Sequence, residues 1–600
     1  FGITIFGCML VWSQLIPLSA GPDEPSNFVK SAALIRGEFI GHDADRWLLS
    51  VEGWAFDSGS GVKRVIVTAN GLIVGESELS FERTDVAEQF SIDPESLVGF
   101  SIGVKLPNDD PRTYWVYAEL NDGTIVALEI AENENLVTAP SLTTPINGVR
   151  PSVSVTTRGS VDHSQVTANL ALSYWSTNVD IDPRFGVALQ LPWCFAPFAE
   201  KPGCDTPIES QSIIDIPPLT NMGRYPPGAF AISGVGTLVG PTDLAFRLSR
   251  VMIAATSALM LALALVSLKR RSLSTVPLLV ALTPGVIFIS SVISPSGLEI
   301  CAAIALWVVL PSVLTATEVH RAEIVTFALA GLLLILARPL GVLLYAVVAG
   351  IVVIATGSFA NLQTNLRKHI VVFAIHTVAA VFMVWWYVFI FNSVIDPKMT
   401  AGLPKISLGA RLLHATGDIP RVIDESIGNY GWLDTPTPRP IAIVILVTTV
   451  VIVVLGWRNL AQPVKRAIGL LGITSVVLVI AEDIQYYNIL RNFGVQGRHI
   501  TPLLVGIPIL GARFLRISRR SNGVLIAIWC FTAIGSGLAA LRRYSVGVVG
   551  DNALDMFTDP VWSPPLGMIW SIMLLIVVTC CAGLVVMSVE RRKVVGSADQ

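Results

Sequence analysis

Charged side chains are scarce in this chain. Lys, Arg, Asp and Glu make up 14% of its 600 residues, against about 25% in ordinary soluble domains, so a soluble globular protein is excluded. The formal net charge of −3 leaves no basic field for nucleic acid. Cysteine supplies no metal framework, because the seven cysteines form no CxxC and no Cys/His cluster. Cys8, Cys301, Cys530, Cys580 and Cys581 lie in apolar runs, where cysteine packs as a small hydrophobe. The loops predicted to face the cytoplasm are short and hold no Gly-rich phosphate loop, which argues against nucleotide-sugar chemistry there. No internal repeat relates the two halves, as many transporters would show.

What the chain has instead is apolar length. Hydrophobic residues make up 52% of it, and the mean hydropathy is +0.64. A helix spans a bilayer with roughly 17–25 such residues. Runs of this kind recur at 1–20, 244–268, 274–294, 298–316, 323–337, 340–357, 369–391, 440–456, 467–481, 502–515, 523–541 and 567–588. The expected fold is a polytopic α-helical membrane protein with about twelve transmembrane helices, the first over 1–20 and the rest within 244–589. The chain opens at Phe1 without a methionine, so a short preceding piece is expected, and the first run reads as a helix in preference to the end of a signal peptide.

Loop charge orients the helices. With residue 1 inside and alternating spans, Lys269-Arg270-Arg271, Arg321, Arg367-Lys368, Arg458 with Lys465-Arg466, Arg513 to Arg520, and Arg591-Arg592-Lys593 all fall on the cytoplasmic side. That is the asymmetry the positive-inside rule requires, and Arg542-Arg543 is the one exception. Both termini are then cytoplasmic in a multi-pass plasma (inner) membrane protein, with 590–600 a cytoplasmic tail and 20–243 a large extracytoplasmic loop.

Within that loop, 21–41 holds an acidic pair and then an amphipathic stretch over 26–38, with Phe28, Ala32 and Ile35 at helical spacing, that could lie on the membrane. From 42 to 135 the texture is that of strands. Asn70-Gly71 and Asp122-Gly123 sit between β-rich runs, a strong hairpin signal, so an inserted antiparallel β-sandwich with Trp47 and Trp54 in its core is expected. Residues 136–243 are rich in proline and turn residues and would drape over the outer face. Cys194 and Cys204 flank the polar loop CFAPFAEKPGC, and a disulfide would close it if the loop faces an oxidising compartment.

Several residues at helix ends could carry chemistry. Asp23 and Glu24 directly follow the first helix, where they could act on a substrate or merely favour the next helix N-terminus. Tyr225-Pro226-Pro227 precedes the second helix, and its prolines would stiffen that approach. Glu299 sits near membrane depth, which makes it a functional candidate or a helix-end group. Arg338 lies between two short apolar runs, free to snorkel or to meet a phosphate. Gln496-Gly497-Arg498-His499 opens another apolar helix as a plausible anion site, with Glu482 and Asp483 nearby to neutralise it.

In this order the motifs resemble the bacterial membrane-protein family catalogued as domain of unknown function 2142. Its marks are an acidic DE pair after helix one, a cysteine-flanked loop, YPP, GLE, RPLG and QGRY. Here they stand as Asp23-Glu24, Cys194 to Cys204, Tyr225-Pro226-Pro227, Gly297-Leu298-Glu299, Arg338-Pro339-Leu340-Gly341 and Gln496-Gly497-Arg498-His499. Two departures are Asn27, where the family often has histidine, and His499 in place of the tyrosine. The layout also resembles the GT-C glycosyltransferase architecture, with its long first outer loop and an acid after helix one.

That resemblance implies an extracytoplasmic enzyme that takes a sugar from a polyprenyl-phosphate-linked donor and passes it to a cell-envelope glycan acceptor within the lipid bilayer's outer leaflet. Asp23, then Glu24, would be the base; Arg498, with Arg338 and His499 behind it, would face the leaving phosphate. Glu299, Tyr225 and Gln496 would bind or orient substrate. Mg²⁺ or Mn²⁺ on the two carboxylates is conceivable, but nothing resembles a full metal site. The rivals are a transporter or flippase of lipid-linked sugars and a non-catalytic envelope-assembly protein.

Overall fold

The computed structural model describes the whole chain except residues 44–45, 70–71, 94–95, 107–113, 129–160, 174–176, 190, 197–199, 205–206, 209–217, 358, 392–405, 491–492, 548–553 and 596–600. It is mostly helical. Among the described residues, seven helices are long and apolar enough to cross a membrane: Asp243–Arg270, Pro295–Thr315, Ile370–Phe391, Arg439–Trp457, Gln462–Ile489, Arg519–Val546 and Met568–Ser588. Several turn large apolar side chains outward, among them Val371, Val378, Ile443, Val454 and Trp570, as a face against lipid would.

The other five apolar runs do not form helices of that length. The first gives Gly2–Gln14, 13 residues, too short to span alone at 1.5 Å per residue. Arg321–Ala337 and Gly341–Thr356 are separated at Arg338-Pro339-Leu340. The runs 274–294 and 502–515 are each broken in two, as Val276–Ala281 with Pro284–Ile289 and Gly497–Leu504 with Gly506–Gly511. Proline explains both breaks: Pro284 and Pro508 bring no N–H to continue the ladder. Each break frees carbonyls that lipid could not satisfy, and tryptophan answers in both places. The Trp529 indole donates to the Leu282 carbonyl at 2.8 Å, and the Trp307 indole donates to the Pro502 carbonyl at 2.9 Å.

Two four-stranded antiparallel sheets occupy the expected strand region. Their spatial orders are 81–82, 97–106, 46–56, 163–173 and 72–78, 62–69, 114–120, 125–128. Alternating residues of both, including Val51, Val65, Val67, Phe100, Val116, Ala118 and Val166, form one buried cluster. Strand 163–173 lies beside strand 46–56, so the sheets reach past the boundary expected at 135. Gly123, with φ 83°, turns the chain between 114–120 and 125–128 as the Asp-Gly pair foretold, whereas Asn70-Gly71 lies outside the described residues. Trp54 is buried against Val86, Val98 and Phe90 beside the Thr84–Phe90 helix, away from the cluster between the sheets; the side chain of Trp47 lies outside the described residues.

The amphipathic stretch forms the helix Glu24–Ile35, and it does not lie at a surface. Its polar side is enclosed as fully as its apolar side. Asn27 donates to the Ile293 carbonyl, Ser31 meets Ser233 at 2.6 Å, and Lys30 donates to the Phe39 and Gly223 carbonyls at 2.7 Å each.

Candidate functional site

Between the first two helices the chain turns through Ser19 and Asp23, both in the left-handed region (φ 64° and 56°). Aspartate tolerates that conformation better than most residues. The turn sends the two adjacent carboxylates in different directions.

Glu24 points into the protein and is fully enclosed. Its Oε1 accepts from Ile293 N and Arg250 Nε, and its Oε2 from Gly21 N and Arg250 Nη2, all at 2.7–2.9 Å. Arg250, 1% exposed, gives its remaining protons to the Ser13 and Pro17 carbonyls and, at 3.4 Å, to that of Ile16. Every strong acceptor and donor is thus used, and Glu24 belongs to the frame that docks the first helix on Asp243–Arg270. Substrate chemistry at Glu24 finds no free oxygen here. The pair cannot offer a divalent ion two carboxylates on one side either, since each is held by a different arginine.

Asp23 faces outward. Its Oδ2 lies 2.6 Å from Arg498 Nη2, with the side chains 34% and 13% exposed. Arg498 is carried on the helix opened by Gly497, whose N–H donates to Glu425 Oε2. A Cβ at Gly497 would meet Ser426 N at 2.3 Å, so only glycine allows this approach. The glycine of GLE has the same reason, since a Cβ on Gly297 would lie 2.4 Å from the Ile289 carbonyl oxygen.

Arg338 closes the Arg321–Ala337 helix in extended backbone and reaches Ser296 Oγ at 3.3 Å and Glu299 Oε2 at 3.4 Å. Glu299 is wholly buried, and its Oε1 has no hydrogen-bond partner among the described residues. His499 Nδ1 lies 2.6 Å from Glu482 Oε1, with the Tyr486 ring near-parallel to the imidazole at 6.3 Å. Tyr225 sits between these groups, in the field of Arg338, Asp23, Arg498 and Glu482, and burial pushes its hydroxyl pKa up. Phe391 and Phe230 pack edge-on against its ring.

The result is one half-buried crevice that gathers Asp23, Tyr225, Glu299, Arg338, Glu482, Tyr486, Arg498 and His499 from six separate segments. It holds three carboxylates against two guanidiniums, with Asp23 in direct contact with Arg498. Gln496 is adjacent, lining with Arg498, Asn429 and Thr501 a cleft of about 30 Å³, room for a water or two. Six residues expected at the site therefore meet, Gln496 borders it, and Glu24 leaves it.

Arg250, Tyr486 and the role of Glu482 were missed by sequence reasoning. An arginine seven residues into a long apolar helix was the available signal for Arg250. Arg543, the exception to the charge rule, is 1% exposed and holds Asp434 at 2.8 Å together with the Lys201 and Phe195 carbonyls. Its charge is consumed inside the protein. The described free cysteines are Cys8, Cys301, Cys530, Cys580 and Cys581; the Cys194 side chain lies outside the described residues.

A family model described as a predicted membrane protein (DUF2142) matches residues 187–507. The match takes in Tyr225, Glu299, Arg338 and Gln496 to His499, while Asp23-Glu24 and the two sheets lie before it. Neither a curated protein nor a solved structure matches the chain.

Proposed function

The chain belongs to the DUF2142 family of membrane proteins, and we propose that it is a glycosyltransferase of GT-C type that moves a sugar from a polyprenyl phosphate to a cell-envelope glycan or glycolipid on the extracytoplasmic face. The observation that carries this reading is the crevice itself: a half-buried carboxylate paired with an arginine, and a second arginine beside a buried acid, gathered at the ends of helices.

In the reaction an acceptor oxygen bonds to the anomeric carbon as the bond from that carbon to the phosphate oxygen breaks. The hydroxyl proton passes to Asp23 as base. The electron pair leaves on the phosphate, whose charge is met by Arg498 and Arg338. At rest Arg498 holds Asp23 at 2.6 Å; a donor phosphate competing for Arg498 frees the carboxylate only when the donor is bound. Glu299 fixes Arg338, Glu482 fixes His499, and Tyr225 offers a hydroxyl to the donor. Asp23 acts here alone, since Glu24 is committed to Arg250.

In this reading the donor's lipid chain would lie in a groove on the helical body. A mostly apolar groove of about 370 Å³ is lined by Tyr345, Phe373, His376, Thr377, Ala380, Val381 and Val384, and the helix that forms its wall continues to Phe391, which packs on Tyr225. The reading includes twelve spans, both termini inside, and the two sheets as a sandwich inserted in the outer loop. One observation favours transport instead: one half of each proline-broken pair, Val276–Ala281 and Gly506–Gly511, packs on the other, and discontinuous helices are common in transporters.

The test compares wild type with Asp23→Asn at equal membrane abundance in cells lacking the endogenous protein, reading lipid-linked sugars and envelope glycans by mass spectrometry. The reading expects loss of one glycan decoration and accumulation of its lipid-linked sugar on the outer leaflet. Accumulation on the inner leaflet turns the case to a flippase, and no change in either pool ends the enzyme reading.

A further inference from the structure

We propose that His414, Asp418 and Asp483 form a Zn²⁺ site that ties the Leu408–Gly417 helix to the end of the Gln462–Leu490 helix. It stands apart from the crevice and does not depend on the sugar-transfer reading. Each residue offers one ligand atom, and these atoms all lie within 4.8 Å of one another. His414 Nδ1 is 3.9 Å from Asp418 Oδ2 and 4.0 Å from Asp483 Oδ2.

The second observation is Asp483 itself. Its side chain is fully enclosed, and Oδ2, the oxygen turned to His414, has no hydrogen-bond partner among the described residues. The other oxygen takes a long contact from Val495 N at 3.4 Å, and the Gly494 backbone also hydrogen-bonds the carboxylate. A buried carboxylate oxygen left without a partner is costly, and a cation between it and the imidazole removes that cost. The other two ligands are pre-set. His414 stacks flat on Phe493, with centroids 3.7 Å apart and planes 7° from parallel. Asp418 is held by Arg421 at 2.7 Å, and Arg421 is itself neutralised by Glu425.

An imidazole with two carboxylates suits Zn²⁺ better than Mg²⁺ or Ca²⁺, which prefer all-oxygen shells of six or more ligands. Tetrahedral bonds of about 2.0–2.1 Å put ligand atoms roughly 3.4 Å apart, so the two His414–Asp edges close by about half an ångström and the carboxylate pair by up to about 1.4 Å. His414 is 47% exposed, which gives both the freedom for that shift and a route from solvent. Asp483 follows Glu482, the partner of His499, so the ion would also hold the helix end that supports the crevice.

The full-length chain, purified in detergent on a tag without histidine and stripped with EDTA, would be titrated with ZnCl₂ against a chromogenic chelator, with bound metal counted after desalting. The expected result is one Zn²⁺ per chain, a rise in the thermal midpoint on adding it, and more than about tenfold weaker binding in both His414→Ala and Asp483→Asn. His414 is half exposed, so its variant folds and decides the matter even if Asp483→Asn does not. Wild type without stoichiometric zinc, or His414→Ala binding as wild type does, overturns the site.

Discussion

Exchanging one oxygen for an amide at position 23 or at position 24 should give opposite phenotypes, although the two residues are neighbours. Glu24→Gln keeps the volume but leaves Arg250, 1% exposed, as an uncompensated buried cation and turns an NH₂ toward its donors. Removing one partner of a buried pair costs about 3–5 kcal/mol. Asp23→Asn loosens a pair whose members are 34% and 13% exposed, where solvent screening keeps the cost under about 1 kcal/mol. Scanning fluorimetry and denaturant unfolding of the detergent-purified chain would read both, with envelope-glycan analysis for activity. Glu24→Gln should unfold well below wild type, and adding Arg250→Met should recover part of the loss, because the orphan charge is gone. Asp23→Asn should melt near wild type yet lose the glycan product. A Glu24→Gln protein as stable as wild type would refute the frame assigned to Glu24, and with it the division of labour between the two acids.

Lys30 supplies a pH signature: its enclosed ammonium is lowered by burial from 10.5 to about 8, opposed by the nearby Glu38 carboxylate. Between those values the unfolded chain binds more protons than the folded one, so stability should rise as pH increases from about 8 to 10.5, and Lys30→Met should flatten that rise in thermal midpoints at pH 7.5 and 9.5. Trp529→Phe should cost about 1–3 kcal/mol by stranding the Leu282 carbonyl in the break, measured by denaturant unfolding; an unchanged midpoint would mean the carbonyl has another partner. Arg543→Met should cost about 3–5 kcal/mol, since it strands Asp434, and should speed proteolysis around residues 195–204. If Cys194 and Cys204 are bonded, thiol labelling of the denatured, unreduced chain should count five free cysteines of the seven.

The sequence made the crevice residues legible because each stands at a helix end beside a proline or glycine, where a charge in an apolar chain has few other reasons to be. Asp23, Tyr225, Glu299, Arg338, Arg498 and His499 could all be named that way. The split between Asp23 and Glu24 could not, because it depends on one left-handed residue that sends neighbours apart. Arg250 and Tyr486 were hidden inside long apolar helices, where hydropathy averages them away. The helix 24–35 kept its expected spacing but not its expected surroundings: Lys30, Ser31 and Asn27 look like a solvated face until their protein partners are in place. Hydropathy also counted 274–294 and 502–515 as continuous spans, since a sum over side chains does not register a missing backbone N–H.

Those two breaks and the crevice follow from one constraint. Polar groups inside a membrane must find partners in the protein, and helix ends are where backbone polarity is unavoidably released. Here the released carbonyls of the breaks are taken by Trp307 and Trp529, which leaves the acids and arginines free of that duty. Asp23 precedes a helix, Glu299 lies in the opening turns of another, Arg338 ends a third and Arg498 begins a fourth. The helices that carry Glu299 and Arg498 pack backbone to backbone on their neighbours at Gly297 and Gly497. Turns place Asp23 and Tyr225 and helices place the rest, and the turn at Asp23 is anchored by the Glu24–Arg250 pair, so substitutions that loosen the frame at Glu24 or Arg250 should disturb the crevice from beneath, without touching any residue that lines it.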